Sequence, residues 1–151
     1  MLPTDVLLRD CRTSDVPRMH EIDHLCFERD IAYTRSEILF CLRHPKSISK
    51  AAERTGEMVA FALGRTERGG FGHVITLDVI AEARRCGIGR ALLGQLHDGF
   101  RRAGVPFAIL EVDVRNTGAR SFYVRMGYEL LELLPGYYLG RSDAYRMALR
   151  L

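Results

Sequence analysis

A glycine-rich turn between two different hydrophobic patterns constrains this chain most. Residues His73 to Val79 read as a strand, and Arg84-Arg85-Cys86-Gly87-Ile88-Gly89-Arg90 follows soon after. From Ile88 the pattern becomes helical, with Ile88, Ala91, Leu92, Leu96 and Phe100 on one face. Strand, turn and helix start in that order aim backbone N–H groups at one point, where the helix dipole also favours negative charge. Gly87 and Gly89 let a ligand approach the backbone closely. Arg84, Arg85 and Arg90 add positive charge, so the stretch is suited to a phosphate. It lacks both Gly-x-x-x-x-Gly-Lys-[Ser/Thr] and Gly-x-Gly-x-x-Gly, which argues against a nucleotide-binding loop.

The flanking elements alternate. Val6-Leu7-Leu8-Arg9 is a short strand, and Thr13-Ser14-Asp15 starts a helix that tolerates Pro17 in its first turn and runs to about Phe27. Thr34-Arg35-Ser36-Glu37 is a capping box for a second helix, which His44-Pro45 stops. Ser47 to Glu53 and Glu57 to Arg65 form a hairpin about Arg54-Thr55-Gly56. The helix after the glycine turn ends near Arg101-Arg102 and Gly104. Phe107 to Val114 is a strand with an apolar even face and with Glu111 and Asp113 on the odd face. Asn116 or Thr117 caps a helix that Gly127 stops. Tyr128 to Leu134 and Asp143 to Leu151 close the chain as a strand pair joined by Pro135 to Gly140. The expected architecture is α/β, a mixed sheet with helices on both faces, in one domain over residues 1–151.

At 151 residues the chain is long enough to bury a core. A net charge of +3, with arginines spread along the chain, fits an anionic small ligand and does not demand nucleic acid. Cys11, Cys26, Cys41 and Cys86 form no Cys-x-x-Cys pair and have no histidine cluster beside them, so neither a metal site nor a redox motif is expected. No apolar run long enough for a signal peptide or membrane span occurs, and a cytoplasmic location without membrane contact is expected.

A second block gives the turn its meaning. Leu110-Glu111-Val112-Asp113-Val114-Arg115-Asn116 leads into Ala119-Arg120-Ser121-Phe122-Tyr123, and Met126-Gly127-Tyr128 follows. From about residue 72 onward this order resembles the GNAT acetyltransferase superfamily. It is most similar to the RimI-type and archaeal protein N-terminal acetyltransferases. The turn matches their acetyl-CoA pyrophosphate motif, and Gly136-Tyr137-Tyr138 with Asp143-Ala144-Tyr145 resembles their C-terminal hairpin. The loop Cys26-Phe27-Glu28-Arg29-Asp30-Ile31-Ala32-Tyr33 departs from their Pro-containing substrate loop.

The resemblance implies a GNAT fold, with a mostly antiparallel sheet whose strands diverge at the acetyl-CoA site. It implies acetyl transfer to the α-amine of a protein or peptide, by direct attack, with a ribosomal protein as the RimI-like acceptor. Leu77, Val79, Arg84, Arg85, Cys86, Gly87, Gly89, Arg90, Asn116 and Tyr123 would hold acetyl-CoA. Glu111 is the candidate base, its pKa expected to rise by desolvation. Tyr123 is the candidate acid for the leaving thiolate. Glu28, Tyr33, Tyr137 and Tyr138 would line the acceptor side. His73 reads as a sheet-surface residue at the far end of its strand. The alternatives are acetylation of lysine or a small amine, and a non-catalytic acyl-CoA-binding module.

Overall fold

The computed structural model describes residues 2–151. Among them the elements run β1 (Val6–Arg9), α1 (Val16–Cys26), α2 (Arg35–Arg43), β2 (Ser47–Arg54), β3 (Glu57–Glu67), β4 (Phe71–Val79), α3 (Ile88–Arg102), β5 (Phe107–Asp113), α4 (Thr117–Arg125), β6 (Glu129–Tyr138) and β7 (Ser142–Arg150). The strands form one sheet in the order β1-β2-β3-β4-β5-β7-β6. Every neighbouring pair is antiparallel except β4 and β5.

Local chemistry sets the helix starts. At α2 the Thr34 hydroxyl accepts from the Glu37 N–H at 3.1 Å, while the Thr34 N–H donates to Glu37 Oε1 at 3.0 Å. Both are orphan donors that a capping box is built to satisfy. Asn116 Oδ1 accepts from the Ala119 N–H at 3.1 Å and caps α4. α3 differs: its N-cap is Gly87, and no side chain caps it.

The sheet separates two apolar clusters. On one face Leu92, Leu93, Leu96 and Phe100 of α3 meet Ala60, Ala62, Val74, Ala108 and Leu110, with Tyr123 of α4. On the other, Met19 and Ile22 of α1 and Ile38 of α2 pack on Ala51, Phe61 and Leu63. Close approach of α3 explains Gly72, since a Cβ there would lie 2.4 Å from the Phe100 ring.

Two irregularities shape the site. First, β4 pairs with β5 only at Gly72↔Ala108 and His73↔Ile109, and beyond these the two strands part. Second, Leu63 faces Thr76 and Gly64 faces Val74, so Ile75 is an extra residue in β4. This bulge reverses which residues face which side. Gly72 and Val74 face α3, whereas Asp78 pairs with Phe61 and faces α1. The final hairpin also departs from expectation. β6 continues through Pro135 and Gly136 to Tyr138, where a loop was predicted. Its register with β7 breaks between Leu134 and Tyr138, which accommodates a proline that has no N–H for the ladder.

Candidate active site

The parting of β4 and β5 opens a groove of about 1040 Å³. Of the residues predicted to hold acetyl-CoA, Leu77, Val79, Arg84, Arg85, Gly87, Gly89, Arg90, Asn116 and Tyr123 line it. Cys86 does not: its thiol turns away and donates to the Ala83 carbonyl at 2.9 Å. Only its backbone belongs to the turn. That turn is wound by Arg85 and Gly87, both left-handed at φ 60° and 87°. A glycine tolerates this conformation at no steric cost, while the arginine is held there against its preference. The uncapped N–H groups of α3 therefore open onto the groove, beside Arg85 and Arg90. Arg84 is committed differently. Its Nε donates to the Val79 carbonyl at 2.8 Å and so braces the end of β4.

Glu111 also lines the groove. Its Oε1 is 2.7 Å from His73 Nε2, and its Oε2 accepts from Arg146 Nε at 3.2 Å. These belong to a row of acidic and basic side chains that alternate across five strands. Glu67 of β3 is 3.6 Å from His73 Nδ1, and Arg146 of β7 donates to Glu132 of β6 at 2.7 Å. The row alters the expectation for Glu111. Burial does push its pKa up, but the hydrogen bonds and charges of His73 and Arg146 outweigh it, and the carboxyl titrates below the usual glutamate range. His73 is likewise not remote from Glu111. The far end of β4 is where it still touches β5, and there the pairing puts imidazole and carboxylate together. The expectation of a plain sheet-surface histidine at His73 is corrected by its bond to Glu111. The histidine three positions after Gly70 was visible, but its partner was not.

Tyr123 sits on the opposite wall, 9% exposed, edge-on to Phe122 and Tyr128. Burial, then the nearby charge of Asp78, raises its pKa far above that of a free phenol. Its hydroxyl therefore stays protonated, and among the described residues no side chain hydrogen-bonds it. Such a group is a committed hydrogen-bond donor.

The predicted acceptor wall is partly assembled. Glu28, Tyr33 and Tyr138 line the groove. Tyr137 stands outside that lining, yet its hydroxyl donates to Glu111 Oε1 at 3.5 Å, and its ring packs edge-on to Tyr138. Glu28 is 3.7 Å from Arg115, and Asp30 pairs with Arg141. These ion pairs tie the α1–α2 loop to the opposite rim.

This geometry has counterparts among known proteins. Residues 16–128 match the model of the acetyltransferase (GNAT) family. The chain belongs to that family. An uncharacterized N-acetyltransferase of Methanocaldococcus jannaschii is 38% identical over 144 residues, 94% of this chain and 90% of that protein. The ribosomal protein bS18-alanine N-acetyltransferase of Escherichia coli is 30% identical over 141 residues, 91% and 92% of the two chains. The crystal structure of the E. coli ribosomal-protein-S18-alanine N-acetyltransferase superposes with a TM-score of 0.85 at 25% identity, covering 96% of this chain and 93% of that one. Arabidopsis thaliana Naa50, solved with the bisubstrate analogue CoA-Ac-MVNAL, shares the fold at a TM-score of 0.85 and 21% identity, over 98% and 100% of the chains.

The protein is thus a GNAT acetyltransferase with an open seven-stranded sheet. No helix among the described residues is long and apolar enough to cross a membrane. No group of three or more metal-ligating side chains occurs among them either.

Proposed function

We propose that this enzyme acetylates the α-amine of a protein or peptide, with acetyl-CoA as donor. The observation that supports this reading best is a single groove with complementary ends. At one end the uncapped start of α3, with Arg85 and Arg90, suits a pyrophosphate. At the other, Glu111, bonded to His73 behind it, shares the lining with Glu28, Tyr33 and Tyr138. The open edge of β4 between them, Val74 to Val79, offers backbone groups to the amide-bearing arm of acetyl-CoA.

Each step then falls to a named side chain. An α-ammonium of pKa roughly 7.7–8.0 needs only a modest base, whereas a lysine at about 10.4 needs a stronger one. A carboxylate with a lowered pKa is a poor final proton acceptor, but it holds an ammonium well. Glu111 orients the amine, directly or through water, and the bonded imidazole of His73 takes up the proton. Tyr123 donates to the departing sulfur from the far wall. Tyr33, Tyr138 and Glu28 bound the peptide, with Tyr137 above Glu111. The acceptor itself, a ribosomal protein terminus by analogy with the bS18 enzyme of E. coli, is the finest part of this reading.

The test is mass spectrometry of products from matched peptides with free and with blocked N-termini, both containing lysine. Acetylation at the α-amine of the free peptide alone is the expected result. Modification of the blocked peptide at lysine would replace this reading with the lysine one.

A further inference from the structure

Beneath the acceptor wall, two aspartates face each other across the interface between α1 and β4. Asp23 and Asp78 are each 1% exposed. Asp23 Oδ2 accepts from the Tyr33 N–H at 2.6 Å, and Asp78 Oδ1 accepts from the Thr76 hydroxyl at 2.5 Å. Each then has one oxygen left over. Asp23 Oδ1 and Asp78 Oδ2 are fully buried, and as ionised acceptors neither has a partner among the described residues. The two carboxyl groups are near enough for Asp23 to act directly on Asp78. No cation is among the groups acting on Asp78.

Two adjacent buried carboxylates cannot both stay ionised without a cation. A single proton between the leftover oxygens satisfies both at once. We propose that Asp23 and Asp78 share one proton, and that this bond makes them positioning residues for the acetyl acceptor. The proposal rests on the acetyltransferase reading above. Burial, then the neighbouring Asp23, holds the Asp78 carboxyl well above the usual range, in agreement with it.

The bond joins the two sides of the reaction site. Asp78 lies beside Val79, at the open edge of β4. Asp23 is in the last turns of α1, lines the groove, and pins the backbone at Tyr33. The loop between them in sequence, with Phe27, Glu28, Ile31 and Tyr33, is the acceptor wall. A second link runs parallel: the Cys26 thiol donates to the Val79 carbonyl at 3.4 Å. Other groups within electrostatic reach are Tyr123 of α4, which feels Asp78, and His20 of α1 and Tyr33, which feel Asp23. Arg84 reaches Cys26 and the Val79 carbonyl. Without the shared proton the pair would repel, and the wall would lose its anchor to β4.

The test compares the full-length wild type with Asp78→Asn and Asp78→Leu. Asparagine keeps the shape and donates an N–H to Asp23, so it mimics the protonated pair; leucine does not. The expected result is an acceptor KM within about twofold of wild type for Asp78→Asn. For Asp78→Leu it should rise about tenfold or more, a loss of roughly 1.4 kcal/mol per tenfold. The KM for acetyl-CoA should stay constant in both. Equal acceptor KM values in the two variants, or an effect on acetyl-CoA alone, would overturn the proposal. Infrared difference spectroscopy at pH 8, wild type minus Asp78→Asn, gives a readout independent of turnover and of how Asp78→Leu folds. A protonated-carboxyl band in the wild type supports the shared proton, and its absence refutes it. A wild type that shows this band yet acetylates no peptide would sink the proposed function and leave the pair standing.

Discussion

His73 Nε2 and Glu111 Oε1 lie 2.7 Å apart, across the last residues at which β4 and β5 still pair. In the proposed mechanism this contact divides the labour of deprotonation. Glu111, held ionised by its hydrogen bonds to His73 and Arg146, is a fixed negative charge, and His73 is the imidazole bonded to it. Either Glu111→Gln or His73→Phe should therefore lower kcat by about 10² to 10⁴, the usual span for general acid–base groups. The double variant should fall little further than the worse single one, because the two act as a unit. Steady-state kinetics of the three variants checks this. Independent, multiplying losses would separate the residues.

Tyr123→Phe removes one hydroxyl from the groove wall and leaves the ring contacts with Phe122 and Tyr128 in place. Because its pKa is raised, the phenol stays protonated, and in the proposed mechanism it donates a hydrogen bond to the developing thiolate. Its loss should cost kcat about ten- to a hundredfold, roughly 1.4 to 2.7 kcal/mol. Acetyl-CoA affinity measured by calorimetry should not change. A weakened affinity with normal kcat would assign Tyr123 to binding.

Three glycines separate backbone strain, core crowding and ligand crowding. Gly87→Ala forces a Cβ into a left-handed position and should cost about 1–2 kcal/mol of stability. Gly72→Ala drives a Cβ into the Phe100 ring and should cost about 1–3 kcal/mol, with the helix α3 displaced from the sheet. At Gly89 a Cβ meets Phe122 and Val79 only at 3.7 Å, ordinary contact, so Gly89→Ala should fold normally. Its methyl group enters the groove beside the α3 start, and acetyl-CoA should bind about tenfold more weakly, roughly 1.4 kcal/mol. Thermal melts with and without acetyl-CoA distinguish the three. A Gly89→Ala protein with unchanged affinity would remove the phosphate assignment from this turn.

Features that depend on a few neighbouring residues were legible in the sequence. The Thr34 capping box and the Asn116 cap form as read, because their partners lie three residues away. The element order survives for the same reason, and the groove lining follows from the glycine turn with the Glu111–Tyr123 block. What escaped depends on register. Strict alternation along His73 to Val79 places Asp78 on the α3 face; the bulge at Ile75 turns it to meet Asp23. The lowered Glu111 pKa required knowing that Arg146 and His73 lie directly beside it, on strands distant in sequence. The position of the Cys86 thiol was not legible, because a turn's motif fixes its backbone and says nothing of where a thiol points.

The charge row also fixes how the fold responds to acid. Burial raises the pKa of Glu111, but His73 and Arg146 lower it by more, so the folded value lies below the unfolded one. For a carboxyl depressed in this way the unfolded state binds more protons as pH falls. Glu111 therefore contributes stability that is fully present above its unfolded pKa, near 4.5. That contribution is lost as pH drops through the lower folded value. Asp78 has the opposite sign: its raised pKa means that the folded state binds the proton more tightly, and its contribution fades as pH rises above 3.8. Glu111→Gln should flatten the loss of stability below about pH 5, and Asp78→Asn should flatten a loss on the neutral side. Urea denaturation from pH 3 to pH 8 for wild type and both variants measures these slopes. Parallel curves for wild type and Glu111→Gln would show that the contacts with His73 and Arg146 do not depress the Glu111 pKa in the folded protein.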